Sequence, residues 1–97
     1  MSTTSSAFRI DGEFTIYRAA ELAAAMRTAL AEAPAGGVFE LDLSGVTEMD
    51  SAGVQLLIAA RRSSQDSGRS LRVAELSAAV ADVFHTLQLA SHFGDAQ

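Results

Sequence analysis

The residues best placed to do chemistry are Asp50-Ser51-Ala52-Gly53, where a hydroxyl follows a carboxylate and precedes two small residues. They lie in "LDLSGVTEMDSAGVQLL", at the point where alternating hydrophobicity gives way to helical spacing. A serine there can be a nucleophile, a helix cap or an acceptor for a modifying group. The nucleophile elbow of hydrolases requires glycine two residues before the serine, and that position is Met49. A triad would need a histidine and an acid converging on Ser51, yet His85 falls off the apolar stripe of its helix and His92 sits near the chain end. Gly36-Gly37 and Gly45 are isolated turn glycines, not a phosphate-binding loop or a dinucleotide fingerprint. With no cysteine and two histidines, a thiolate or imidazole metal cage is not expected. The residues predict a protein that is not an enzyme and carries no metal or cofactor.

As a cap, either Asp50 or Ser51 could accept from the orphan amides of a first helical turn, with Gly53 easing a close approach. The reciprocal capping box is absent, because Val54 stands where Glu or Gln would be required. As an acceptor, a hydroxyl at a helix start suits phosphate, since free amides and the helix dipole stabilise the added charge. Asp50 opposes part of that stabilisation. A phosphate adds about 1.5 to 2 negative charges beside it, enough to turn an acidic or apolar docking surface unwelcoming.

These residues must be carried by one small domain. The chain has 97 residues, 48% of them hydrophobic, enough for a single core. Its net charge of -5 and only seven Lys and Arg residues argue against nucleic acid or an anionic membrane as partner, and favour proteins. The start "MSTTSSAF" lacks the basic and apolar regions of a secretory signal, and no run of eighteen apolar residues occurs, so a cytoplasmic protein without membrane insertion is expected. The domain should span residues 7–93, with flexible tails at 1–6 and 94–97.

In "FRIDGEFTI" apolar residues alternate on both sides of Asp11-Gly12, which predicts a hairpin. "RAAELAAAMRTALAEA" places Leu22, Met26, Ala29, Leu30 and Ala33 on one helical stripe, ended by Pro34 and the glycine pair. "VFELDL" is a strand covered on one side, with Phe39, Leu41 and Leu43 inward, followed by a turn at Ser44-Gly45. A second helix runs from Ala52 to about Gln65 with Val54, Leu57 and Ile58 inward. "LRVAEL" is a further strand, and Ser77 caps a third helix with the stripe Val80, Val83, Phe84 and Leu87. Right-handed crossovers then give a small α/β layer of about four mixed strands with three helices mainly on one face. On the second helix, a 100° step per residue puts Leu56 opposite the core stripe among Ala52, Ala59, Ala60 and Ser63, a flat outward surface beside Ser51.

On "LDLSGVTEMDSAGVQLLIAARR", and more weakly on "GRSLRVAELSAAVADVFHTLQL", the chain resembles the STAS family, shared by bacterial anti-sigma factor antagonists and the cytoplasmic ends of sulphate transporters. The resemblance covers Phe8 to Phe93. It implies a STAS-like fold in which Ser51 matches the serine phosphorylated by a partner kinase and Asp50 matches the acid before it. It also implies partner switching: the unmodified form binds an anti-sigma kinase, which brings ATP and magnesium, and phosphorylation releases it. The implied partner surface is Asp50, Ser51, Ala52, Gly53, Leu56 and Ala60. In "GEFT" Thr15 replaces an acid that many antagonists carry near that surface. "FTIYRAAEL" is similar to stand-alone STAS proteins of chemotaxis clusters, and the central motif is also similar to the STAS subunit that binds the ATPase of a bacterial phospholipid transporter. The resemblance therefore implies a signalling switch, with a transporter-ATPase subunit or a chemotaxis regulator as alternatives.

Overall fold

A computed structural model describes residues 5–89. The element order is β1 (Ser5–Phe14), α1 (Ala19–Glu32), β2 (Val38–Met49), α2 (Ser51–Asp66), β3 (Ser70–Leu76) and α3 (Ala78–Leu87). The three strands are parallel in the order β1-β2-β3. Because each crossover moves one strand in the same direction, right-handed connections bring α1 and α2 to one face, where they pack on each other. The core lies beneath them: Ile10 and Phe14 from β1, Leu22 and Met26 from α1, Phe39, Leu41 and Leu43 from β2, and Leu57 from α2 are all buried. The other face is polar, with ion pairs of Arg9 to Asp42 at 2.9 Å and Arg72 to Glu40 at 2.6 Å.

The expected hairpin does not form, so the sheet has three parallel strands and not about four mixed ones. A two-residue turn at Asp11-Gly12 would set Ile10 opposite Glu13 and Arg9 opposite Phe14, mixing apolar and charged residues on each face. As one strand, β1 keeps Phe8, Ile10 and Phe14 on the same side, and Gly12 adopts a φ of 78° that suits glycine. The irregularity falls on β2. Between Arg9 and Asp11 the partner strand advances from Asp42 to Gly45, and between Gly12 and Glu13 from Val46 to Glu48, one extra residue each time. The expected turn at Ser44-Gly45 is therefore a bulge, and β2 runs on to Met49.

Two further expectations meet the structure at their edges. Ser5 and Ser6, placed in the N-terminal tail by sequence, pair with Val38 and Phe39, while the rest of that tail and residues 94–97 lie outside the described residues. On α3, Val80 and Phe84 are buried and Val83 is half-buried, but Leu87 is 52% exposed, and Leu89 beyond the helix end is buried instead. Gln88 turns the chain with a left-handed φ of 54°, which carries Leu89 inward.

Candidate functional site: the start of the second helix

The site is assembled from the ends of β1 and β2 and the first turns of α2. Asp50 is extended, with φ of -116°, and one oxygen of its carboxylate accepts from the Gly53 N–H at 3.0 Å, so Asp50 is the N-cap. Its other oxygen accepts from the Ile16 N–H, also at 3.0 Å. The amide of Ile16 first, with those of Gly53 and Ala52, holds the Asp50 carboxyl below its ordinary range, against the opposing effect of desolvation. One side chain thus closes the helix and clasps the loop between β1 and α1.

Since Asp50 does the capping, Ser51 is left as the first helical residue, exposed, with no hydrogen bond to its hydroxyl among the described residues. Nearby hydroxyls differ. Ser44 donates to the Asp42 carboxylate at 2.7 Å and receives Arg9 at 3.2 Å, which fixes it in the polar network of the sheet. The Ser44 hydroxyl and amide hold Asp42 below the usual carboxylate range, with Arg9 adding to the effect. Thr47 is exposed on the bulged end of β2.

Gly53 explains why the acid and hydroxyl are followed by small residues. A Cβ built there would lie 2.3 Å from the Phe14 carbonyl oxygen and 3.2 Å from Met49 Cγ, so only glycine lets the first turn of α2 lie against the end of β1. Ala52 is half-buried beside it. Arg18 secures the same strand end from outside, donating to the carbonyls of Asp11 and Glu13, the latter at 3.0 Å.

Two sequence-derived placements change. Leu56 is not on the outward face of α2: it is half-buried against the core and lines a groove between the helices, with Met26, Leu30, Phe39 and Ala60. The helix is flanked by α1 as well as the sheet, so its apolar sector is wider than the stripe that faces the strands. Thr15 is 3% exposed, its hydroxyl 3.4 Å from a Glu13 carboxylate oxygen, so this substitution lies under the surface and not on it.

Sequence reasoning also missed part of the site. Ile16 and Tyr17 are 64% and 87% exposed, and the Ile16 amide is bonded to the Asp50 carboxylate. Ile16 was absorbed into the expected hairpin; the signal available was the break in helical and strand patterning at "TIYR". His85 is exposed on α3 and His92 lies outside the described residues, while no cluster of three metal-ligating side chains occurs among the described ones.

A family model described as "Mlab, STAS domain" matches residues 1–93. The chain belongs to the STAS domain family. Solved structures show the same fold at low identity. A sulfate transporter family protein from Wolinella succinogenes superposes with a TM-score of 0.72 at 20% identity, covering 96% of this chain and 78% of that one. The STAS domain of a SulP transporter from Vibrio cholerae gives 0.70 at 19% identity, with coverage of 98% and 72%. The anti-sigma factor antagonist SpoIIAA in its unphosphorylated form gives 0.71 at 23% identity, with coverage of 99% and 83%. No curated protein sequence matches the chain. At these identities the structures establish the STAS fold, as a small α/β domain with three helices. No helix among the described residues is long and apolar enough to cross a membrane.

Proposed function

We propose that this STAS domain is a non-enzymatic, cytoplasmic signalling module that binds a protein partner and is switched by phosphorylation of Ser51. The observation that carries the reading is the division of labour at the α2 start: the Asp50 carboxylate accepts from the Gly53 amide as the cap, and the exposed Ser51 hydroxyl makes no bond among the described residues. A serine kinase would supply ATP and magnesium, and this chain would be both its substrate and its ligand. The docking surface is formed by Asp50, Ser51 and Ala52, by Leu56 and Ala60 at the groove edge, and by exposed Ile16 and Tyr17; Gly53, expected on this surface from sequence, is buried against the end of β1 and shapes the turn from beneath. Added phosphate charge beside Asp50 disfavours an apolar or acidic partner surface there.

Incubation with the cognate kinase and ATP, followed by mass spectrometric mapping, is expected to place phosphate on Ser51. Phosphate on Thr47 or Ser44 with Ser51 unmodified overturns the assignment.

A second reading, a STAS subunit held constantly on a transporter ATPase, is favoured by the "Mlab" description of the matching family. The two separate by partner affinity, measured by calorimetry. The switch requires Ser51→Ala to bind like wild type and Ser51→Asp to bind more weakly. Equal weakening by alanine and aspartate supports the subunit.

A further inference from the structure

The Asp50 carboxylate joins two elements, the start of α2 and the loop between β1 and α1, and the Ser51 hydroxyl bonds to neither among the described residues. The carboxylate holds the α2 amide of Gly53 with one oxygen and the loop amide of Ile16 with the other, both at 3.0 Å. The residues flanking that loop are anchored. Phe14 is buried and pressed against Gly53, Thr15 is buried with its carbonyl accepting from the Arg18 N–H at 3.0 Å, and Arg18 is tied to β1. Between these anchors Ile16 and Tyr17 expose their side chains, and apart from a 3.4 Å bond from the Ala19 N–H to the Ile16 carbonyl, the Asp50 carboxylate is what holds them.

We infer that Asp50 is a latch which a phosphate on Ser51 opens, so that modification releases the Ile16–Tyr17 loop as well as adding charge. This rests on the phosphorylation reading above. A phosphoryl group on the first helical residue competes for the terminal Gly53 amide that Asp50 now holds. Two anionic groups on neighbouring residues also repel each other. The carboxylate that yields does so by rotating away or by taking a proton, and either change weakens its acceptance from Ile16. Asp50 owes its low proton affinity chiefly to that same Ile16 amide, so the bond and the charge rise and fall together. The partner then meets both a new charge and an apolar loop that is no longer held in one shape.

Amide hydrogen exchange by NMR on the full chain tests this without any kinase or partner. Three proteins are compared with wild type: one carrying phosphoserine at position 51 by semisynthesis, Asp50→Ala, and Ser51→Asn as a neutral control. In the phosphoserine protein and Asp50→Ala, exchange at the Ile16 amide should rise by about tenfold or more, the scale of losing a hydrogen bond to a charged group. Ser51→Asn should leave Ile16 protected, and the Val80 amide, held by the Ser77 hydroxyl, should stay unchanged in all three. An Ile16 amide as protected in the phosphoserine protein as in wild type overturns the latch, whatever a kinase does to Ser51. Failure of a kinase to modify Ser51, with Ile16 still released by installed phosphoserine, overturns the phosphorylation reading and leaves the latch standing.

Discussion

At the start of α3 the Ser77 hydroxyl accepts from the Val80 N–H at 3.2 Å; at the start of α2 the same kind of bond is made by Asp50, and Ser51 stands one residue later with its hydroxyl exposed. Both helices follow a parallel strand and both carry a serine at the junction. The serine of α3 is consumed by the fold, whereas that of α2 is displaced from the cap by the acid before it. Residue type and location alone do not tell a structural hydroxyl from an available one. Which group holds the helix amides tells them apart.

The largest effect expected from disturbing this contrast comes from Gly53, which exists at one start and has no counterpart at the other. Gly53→Ala forces a Cβ onto the Phe14 carbonyl, and since backbone cannot yield as a side-chain tip can, a loss of about 2–3 kcal/mol is expected in chemical denaturation. A loss below about 0.5 kcal/mol, the range of ordinary surface changes, would show that the two elements separate freely.

Ser77→Ala comes next. It removes the cap of α3 and should cost about 1 kcal/mol, which for a domain this size lowers Tm by about 4–8 °C. If Ser77→Ala proves neutral, the assignment of the α3 serine to the fold fails.

A smaller, pH-dependent effect isolates the acid. The Asp50 carboxyl is held below its ordinary value of 3.8, so its contribution is complete above the unfolded-state range and is lost as pH falls through the folded-state value. Asp50→Asn keeps an oxygen for Gly53 but presents an amide to the Ile16 N–H. Its stability deficit relative to wild type should therefore shrink as pH is lowered from about 6 to about 3. A deficit that stays constant over that interval would mean the charge at Asp50 has no part in folding.

The smallest effect is expected at Ser51. Ser51→Ala should change stability by less than about 0.5 kcal/mol, because no bond in the described structure is lost. A cost matching that of Ser77→Ala would return Ser51 to a capping role and remove the contrast between the two starts.

Much of this was legible in the chain. Helical stripes such as Leu22 and Met26, and Val80 and Phe84, were visible because burial on a helix against a sheet imposes its own spacing. The alternation of Phe39, Leu41 and Leu43 marked the central strand for the same reason. The Asp-Ser-Ala-Gly order marked the α2 junction, since caps and close approaches select small and polar residues. Sequence did not reveal that β1 is one strand, because Asp-Gly has the same local chemistry in a hairpin turn as beside a bulge, and only the pairing with β2 chooses. Nor did it place Leu56, whose half-burial depends on where α1 lies beside α2.

By itself, the sequence determined the three helices, the central strand and the position of the reactive turn, all consequences of short-range periodicity and local hydrogen-bonding preference. Tertiary packing was needed to establish that Asp50 caps and Ser51 does not, and that exposed Ile16 is bonded to Asp50. Those outcomes depend on bringing Ile16, in the loop after β1 and 34 residues away in sequence from Asp50, against the start of α2. A contact of that range leaves no period in the chain, and its one local trace is the glycine that makes room for it.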